Sequence, residues 1–291
     1  MQLAGGEGMK RLIVLMGVLG ASLSSILVRF STAPSMILVL YRVGMATLIL
    51  LPVVLVKNKE ELRRLTGREC GLCLAGGAFL GLHFAAYFES LRYTSIASSV
   101  VLVDTEVLFV ALIGILLFGK RPSKTAWFAI ALALFGSVII AMADTVAGPD
   151  ALRGDLIALC GAFFVAVYTM VGSVCRKTVS TNVYTFLVYL SATVTVFFIS
   201  LLRGQALTGY GNVNYLTGFG MAVFCTIMGH SVFSWGLKYL QPAFVSTAKL
   251  MEPVFASVMG LVIFREIPGM LTLVGGAIII AAIILYSRVD E

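Results

Sequence analysis

The sequence predicts an all-α integral membrane protein of ten transmembrane helices, arranged as two inverted five-helix repeats. Three observations predict it: a very apolar composition, ten apolar runs of membrane-spanning length, and motifs that recur at a fixed offset. Of 291 residues, 59% are hydrophobic and 12% charged, with a mean hydropathy of +1.01; an ordinary soluble domain carries roughly 25% charged residues. So few charges cannot give a chain of this length a polar shell, and the apolar side chains must face lipid. The 29 Gly follow no triplet period and the five Cys are an odd number, which excludes collagen-like and disulfide-framework classes. The apolar content likewise excludes disordered and nucleic-acid-binding chains.

A run of about 17 to 25 apolar residues, at 1.5 Å per residue, crosses a hydrocarbon core of roughly 30 Å. Helices suit such runs because they satisfy every backbone group internally, and no period-2 alternation suggests barrel strands. Taken in order, Leu12–Val28 follows Lys10 and Arg11 like a signal peptide. Its apolar stretch is long for one, and losing it would spoil the repeat, so it is read as the first span. Met1–Met9 shows no pattern. Met36–Val56, the second span, follows Pro34 and contains Arg42. The charged linker Lys57–Glu69 leads to Cys70–Phe88, where Phe79, His83 and Tyr87 recur every four residues as one stripe, and Gly77 and Gly81 permit close helix contact. Ile96–Phe118 contains Asp104 and Glu106, and Ala126–Ala143 follows Arg121-Pro122. After the linker Asp144–Asp155, with Gly148-Pro149, come Leu156–Val174, Val183–Leu202 and Tyr215–Leu237, the last carrying His230, Phe233 and Trp235. Ala243–Phe264 starts after Pro242 and contains Lys249, Glu252 and Pro253; Met270–Tyr286 follows Pro268 and contains Gly275-Gly276.

At an offset of 146 residues Leu91-Arg92-Tyr93 falls on Leu237-Lys238-Tyr239, Glu106 on Glu252, Phe118 on Phe264 and Pro122 on Pro268. The match fades over the first two helices of each half. The halves are read as residues 10–144 and 153–288, five helices each. Five is odd, so the second half enters the membrane from the opposite side, an inverted repeat typical of transporters. With both termini cytoplasmic, fourteen Lys/Arg lie inside and five (Arg29, Arg92, Arg153, Arg203, Arg265) outside, so the net charge of +7 reads as an orientation signal in an inner membrane.

An ionisable group at mid-bilayer costs about 2.5 to 3.5 kcal/mol even on a lenient scale, so Arg42, His83, Asp104, Glu106, His230, Lys249 and Glu252 need partners or a function. Lys249 and Glu252, three apart, share a helix face and are placed to pair with each other. Asp104 and Glu106 point in different directions, Glu106 sharing a face with Ser99, and Asp104 has Arg42 or another helix as its partner. His83, Tyr87, His230 and Trp235 read either as packing or as a wall of ring faces. Cys70-Gly71-Leu72-Cys73 has the spacing of a thiol pair but no second pair or nearby His, and no nucleotide, metal, cofactor or catalytic motif is found.

Two segments resemble the drug/metabolite transporter superfamily, specifically its ten-helix EamA-type members. The first runs from Phe88-Glu89-Ser90-Leu91-Arg92-Tyr93 to Phe118-Gly119-Lys120-Arg121-Pro122. The second comprises Trp235-Gly236-Leu237-Lys238-Tyr239-Leu240-Gln241-Pro242, Glu252-Pro253 and Phe264-Arg265-Glu266, with Tyr41-Arg42 as a smaller match. The chain departs from the family pattern with Val107 in place of a Pro and Lys120 in place of a Glu. The resemblance implies two five-helix bundles around a central cavity, moving small metabolites by alternating access. On this reading the protein is a secondary transporter, not an enzyme, for a small polar metabolite, with an amino acid as the best fit and an exporter of cationic or lipophilic compounds as the alternative. Arg42 and Lys249 answer a carboxylate, Glu106 and Glu252 an ammonium or a coupling proton, and His83, Tyr87, His230 and Trp235 the side chain. The bilayer, the solute and protons are the expected partners, with the chain a monomer or homodimer.

Overall fold

The computed structural model describes residues 2–94, 96–119, 121–142, 150–265 and 267–289. Lys120, Asp144, Gly148, Pro149 and Glu266, read above from the sequence, lie outside them. The described residues contain helices and no strands. The principal helices are α1 (Gln2–Leu27), α2 (Ser35–Lys57), α3 (Gly67–Ser90), α4 (Ile96–Asp104 and Glu106–Phe118), α5 (Lys124–Ala141), α6 (Ala151–Cys175), α7 (Thr181–Leu202), α8 (Asn212–Gly236), α9 (Pro242–Lys249 and Glu252–Phe264) and α10 (Met270–Val289). Eight have the length and apolarity of a membrane span; α5 and α10 contain shorter apolar helices, Lys124–Ile140 and Met270–Tyr286. A short helix, Lys59–Arg64, follows α2.

Local chemistry sets the boundaries. Thr66 caps α3 in a reciprocal box, its hydroxyl accepting from Glu69 N at 3.2 Å and the Glu69 carboxylate accepting from Thr66 N at 3.0 Å. Ser123 caps α5 by accepting from Ala126 N at 3.1 Å, and Pro242 opens α9, where its missing N–H is not needed. Helix α4 ends at Gly119 (φ 64°), and α9 ends 146 residues later at Arg265 (φ 58°), a left-handed conformation that only the glycine adopts without strain.

The sequence places continuous helices over Ile96–Phe118 and Ala243–Phe264; both are interrupted. The breaks, at Thr105 and at Leu250–Met251, are tight turns of i to i+3 hydrogen bonds: Thr105 N to Leu102 O at 3.2 Å, Leu250 N to Thr247 O at 3.1 Å and Met251 N to Ala248 O at 3.1 Å. Pro253 favours the second break by removing an intrahelical donor; the first has no proline. The second helices of the two halves hold the 146-residue offset although the motif match fades there, starting at Ser35 and Thr181.

Helix α3 packs on α6 and α7, α2 on α7, α1 on α8, and α5 on α10. One apolar cluster joins α2, α3, α6 and α7 around Val43, Leu80, Tyr184 and Tyr189; a second joins α1, α4, α5, α8, α9 and α10 around Val14, Val107, Ile130 and Phe244. Glycines permit the closest approaches. A Cβ on Gly77 would strike the Val188 carbonyl oxygen and lie 2.7 Å from Ser191 Cβ, and one on Gly81 would lie 2.8 Å from Thr195 Cβ. Gly275 meets Gly136 of α5 backbone to backbone, whereas Gly276 makes ordinary contacts.

Candidate functional site

The two helix breaks set the site's electrostatics. Glu106 and Glu252 each open the second segment of a broken helix, and Lys249 ends the first segment of α9. Free amides at a segment's start favour an anion, and free carbonyls at its end favour a cation. Lys249 Nζ donates to Glu106 Oε1 at 2.8 Å, with both side chains largely buried. The pair tested on the sequence, Lys249 with Glu252, is therefore replaced by a pair between residues 143 apart. The break at Leu250–Met251 puts Lys249 at the end of one segment and Glu252 at the start of the next, and the ammonium reaches across to α4. Glu252, partly buried, has no hydrogen-bond or ion-pair partner among the described residues; Lys249, Arg42, Glu106 and Asp104 are the ionisable groups around it.

Arg42, 4% exposed, does not pair with Asp104. Its Nε donates to Thr226 Oγ1 at 2.8 Å and its Nη1 to Ser24 Oγ at 3.4 Å, while the guanidinium lies 5.0 Å from the Phe84 ring centroid. Thr226 sits in the stretch Met221–His230 of α8, wound as a π-helix. Its carbonyl accepts from Tyr189 Oη at 3.1 Å and from Ser231 Oγ at 3.4 Å. Such a stretch releases backbone groups from the ordinary ladder for use elsewhere. Close contact with α1 through Gly20, whose added Cβ would lie 2.9 Å from Phe224 O, presses on the same stretch.

Aromatic groups bridge the charged ends. The Phe84 ring lies 5.9 Å from His230, His230 lies 5.7 Å from Phe233, and Lys249 Nζ stands 5.6 Å from the Phe233 ring centroid. An unbroken row therefore runs Arg42, Phe84, His230, Phe233, Lys249, Glu106. Beside it, His83 is 5.3 Å from Phe84 and 6.5 Å from Tyr87, while Phe79, the third member of the α3 stripe, lies 6.0 Å from Phe164 of α6. His83 Nδ1 lies 3.0 Å from the Gly161 carbonyl; a carbonyl only accepts, so Nδ1 carries the proton and Nε2 remains for another partner. His230 Nδ1 is enclosed with no hydrogen-bond partner. Trp235 is not brought to this row: its ring lies tilted against Tyr239 at 4.9 Å, which also faces Lys10 and Lys238. Ser99 is 2.5 Å from Ser90 Oγ.

Sequence reasoning missed Phe84, Thr226 and Ser24. Phe84 had one signal, its position beside His83; Thr226 and Ser24 are hydroxyls of the kind that often bond their own helix, and only tertiary structure gives them to Arg42. Asp104 ends the first segment of α4, with Oδ2 enclosed and without a partner. The Cys70/Cys73 spacing divides: Cys73 is fully buried beside Cys175 of α6, whereas Cys70 is only partly buried.

Other charges gather at the helix ends. Glu89 pairs with Arg92 at 3.1 Å and Arg203 at 2.8 Å, and Arg153 lies 4.5 Å from the Tyr93 ring centroid. Elsewhere Asn58, Glu61 and Glu69 bond the loop after α6: Asn58 Nδ2 donates to Ser180 Oγ at 3.4 Å, Glu61 Oε1 accepts from Ser180 N at 2.5 Å, and Glu69 Oε1 accepts from Thr178 Oγ1 at 2.7 Å.

The chain is similar to an uncharacterized transporter of Archaeoglobus fulgidus, 26% identical over 221 residues and covering 74% of each chain. It is also similar to an uncharacterized transporter of Clostridium kluyveri, 24% identical over 247 residues, 82% of this chain and 79% of the other. A solved crystal structure 15% identical in sequence superposes with a TM-score of 0.83 over 97% of this chain and 99% of that one, a likeness of fold. The sequence profile of the EamA-like transporter family matches residues 9–142 and again residues 152–288, so the chain belongs to the EamA-like transporter family.

Proposed function

We propose that this transporter moves a small amino acid or amino-acid-like zwitterion across the cytoplasmic membrane by alternating access. The observation that carries the reading is the row from Arg42 through Phe84, His230 and Phe233 to the Lys249–Glu106 pair, flanked by Glu252. Cations at both ends of a ring-lined strip offer two places for a carboxylate. Glu252, lacking a hydrogen-bonded cation among the described residues, offers a place for an ammonium, and the aromatic faces suit an apolar side chain. His83, through Nε2, and Tyr87 complete the wall. Trp235, at the Tyr239 end of α8, contributes to the entrance.

In this reading the two halves, 10–144 and 153–288, have opposite membrane topology and both termini face the cytoplasm. The broken helices α4 and α9 supply the moving parts, since the interruptions at Thr105 and Leu250–Met251 let one segment turn against the other. Transport is powered by the solute gradient or by a proton on a carboxylate of this site. A thermal-shift screen of purified protein against amino acids and matched organic cations tests the solute class. Stabilisation by zwitterions supports the reading; stabilisation by cations alone overturns it in favour of an exporter of cationic compounds.

A further inference from the structure

We propose that Asp104 is the proton-carrying group of this site and is protonated in the state described, leaving Glu252 charged. The proposal rests on the transporter reading only for its use; the protonation itself is independent of what is transported.

Three carboxylates, Asp104, Glu106 and Glu252, meet two fixed cations, Arg42 and Lys249, in one belt. Glu106 is neutralised directly by Lys249 at 2.8 Å. One negative charge is then in excess inside a low-dielectric bundle, where an unpaired ion costs far more than binding a proton. His83 and His230, the other titratable groups of the belt, add no negative charge.

Position decides which carboxylate holds the proton. Glu252 and Glu106 lie at segment starts, where free amides stabilise an anion. Asp104 is the last residue of its segment, where the free carbonyls repel one. It also faces Glu252 and Glu106 from α9 and α4, with Tyr87 of α3 nearby, and Lys249 is the cation in range. Its Oδ2 is enclosed without a hydrogen-bond partner. Beside it on α5 stands the buried hydroxyl of Ser137, 2% exposed. A hydroxyl both donates and accepts, so Ser137 serves Asp104 in either protonation state; what favours the neutral form is the enclosed Oδ2, which costs less in a carboxyl group than in a carboxylate. The proton binds carboxylate oxygen directly and leaves to water when the site opens, so no co-reactant is needed. Its departure puts a second negative charge beside Glu252, which strengthens the hold on an ammonium. Proton and ammonium therefore compete in this belt.

Infrared difference spectroscopy on the purified protein in lipid, without any transported solute, tests this. The probe is the carbonyl stretch of a protonated carboxyl group, identified by its shift in D2O. The expected result is one such band at neutral pH that is displaced in frequency by the charge-conserving Asp104→Glu and by Ser137→Ala, and unmoved by Glu252→Asp. A band unmoved by Asp104→Glu, or one displaced only by Glu252→Asp, overturns the assignment. If Asp104→Glu does not fold, the displaced band in Ser137→Ala supports the proposal and an unmoved one overturns it. A failure here leaves the choice of transported solute untouched, since no solute is present.

Discussion

Replacing Lys249 by Met removes the cation that joins the two broken helices. The ammonium sits 2.8 Å from Glu106 Oε1, with side-chain exposures of 12% and 6%. At an effective dielectric of about 20, such a separation corresponds to an attraction of about 6 kcal/mol before desolvation is subtracted. Removing one partner strands the other charge, and such losses run to about 3 to 5 kcal/mol. Lys249→Met abandons Glu106, whereas Glu106→Gln leaves Lys249 with Glu252 within reach. Lys249→Met is therefore expected to cost more than Glu106→Gln. The double variant, with both charges gone, is expected to be more stable than Lys249→Met alone. In a thermal unfolding assay of the protein in detergent micelles, at roughly 2 °C per kcal/mol for a chain of this size, Lys249→Met lowers the midpoint by about 6 to 10 °C. The double variant recovers a part of that. A midpoint for Lys249→Met within about 1 °C of the parent, or strictly additive single effects in the double variant, refutes the pairing.

Other expectations follow from contacts of different kinds. Gly77→Ala drives a methyl into the Val188 carbonyl and Ser191, so it lowers the unfolding midpoint by an amount equivalent to about 1 to 3 kcal/mol. Gly71→Ala, whose Cβ meets nothing within 4 Å, leaves it unchanged or raises it. Arg265→Gly releases a left-handed backbone at φ 58° and is expected to raise the midpoint by an amount equivalent to about 1 kcal/mol; a fall in the midpoint counts against a strained cap. Arg42→Lys keeps the charge but cannot reproduce the fixed geometry that reaches both Thr226 and Ser24 beside Phe84. It is expected to weaken solute-induced thermal stabilisation at least tenfold in apparent affinity, while the circular dichroism spectrum remains helical.

The spans were legible because lipid imposes a length and a composition on every helix. The residues at helix starts, Pro242 and the chain around Thr66 and Ser123, acted locally as their chemistry requires. The interruption at Leu250–Met251 had a partial signal in Pro253. The one at Thr105 had none, since Val107 carries an ordinary amide and nothing nearby in the sequence breaks a helix. This miss propagated to the site. With α9 taken as continuous, Lys249 and Glu252 share a face and Lys249 has an obvious partner three residues away. Once the helix is broken, the partner is Glu106 from the other half, a contact that no spacing rule within one helix reveals. Arg42 was similar: its partners Thr226 and Ser24 depend on how α8 unwinds against α1. Seven of the eight residues proposed from the sequence as a site (Arg42, His83, Tyr87, Glu106, His230, Lys249 and Glu252) gather in one belt, and Trp235 stands apart on Tyr239.

Solute counterflow in proteoliposomes tests the central claim most directly. Vesicles loaded with a single unlabelled amino acid, across a panel, are diluted into the same labelled amino acid, and label accumulation is followed. At least one zwitterionic amino acid is expected to accumulate transiently, with the uptake abolished by Arg42→Met and by the Lys249→Met/Glu106→Gln pair. Accumulation of organic cations with no amino acid moved, or amino-acid counterflow unaffected by these substitutions, would contradict the assignment of this belt as the transport site.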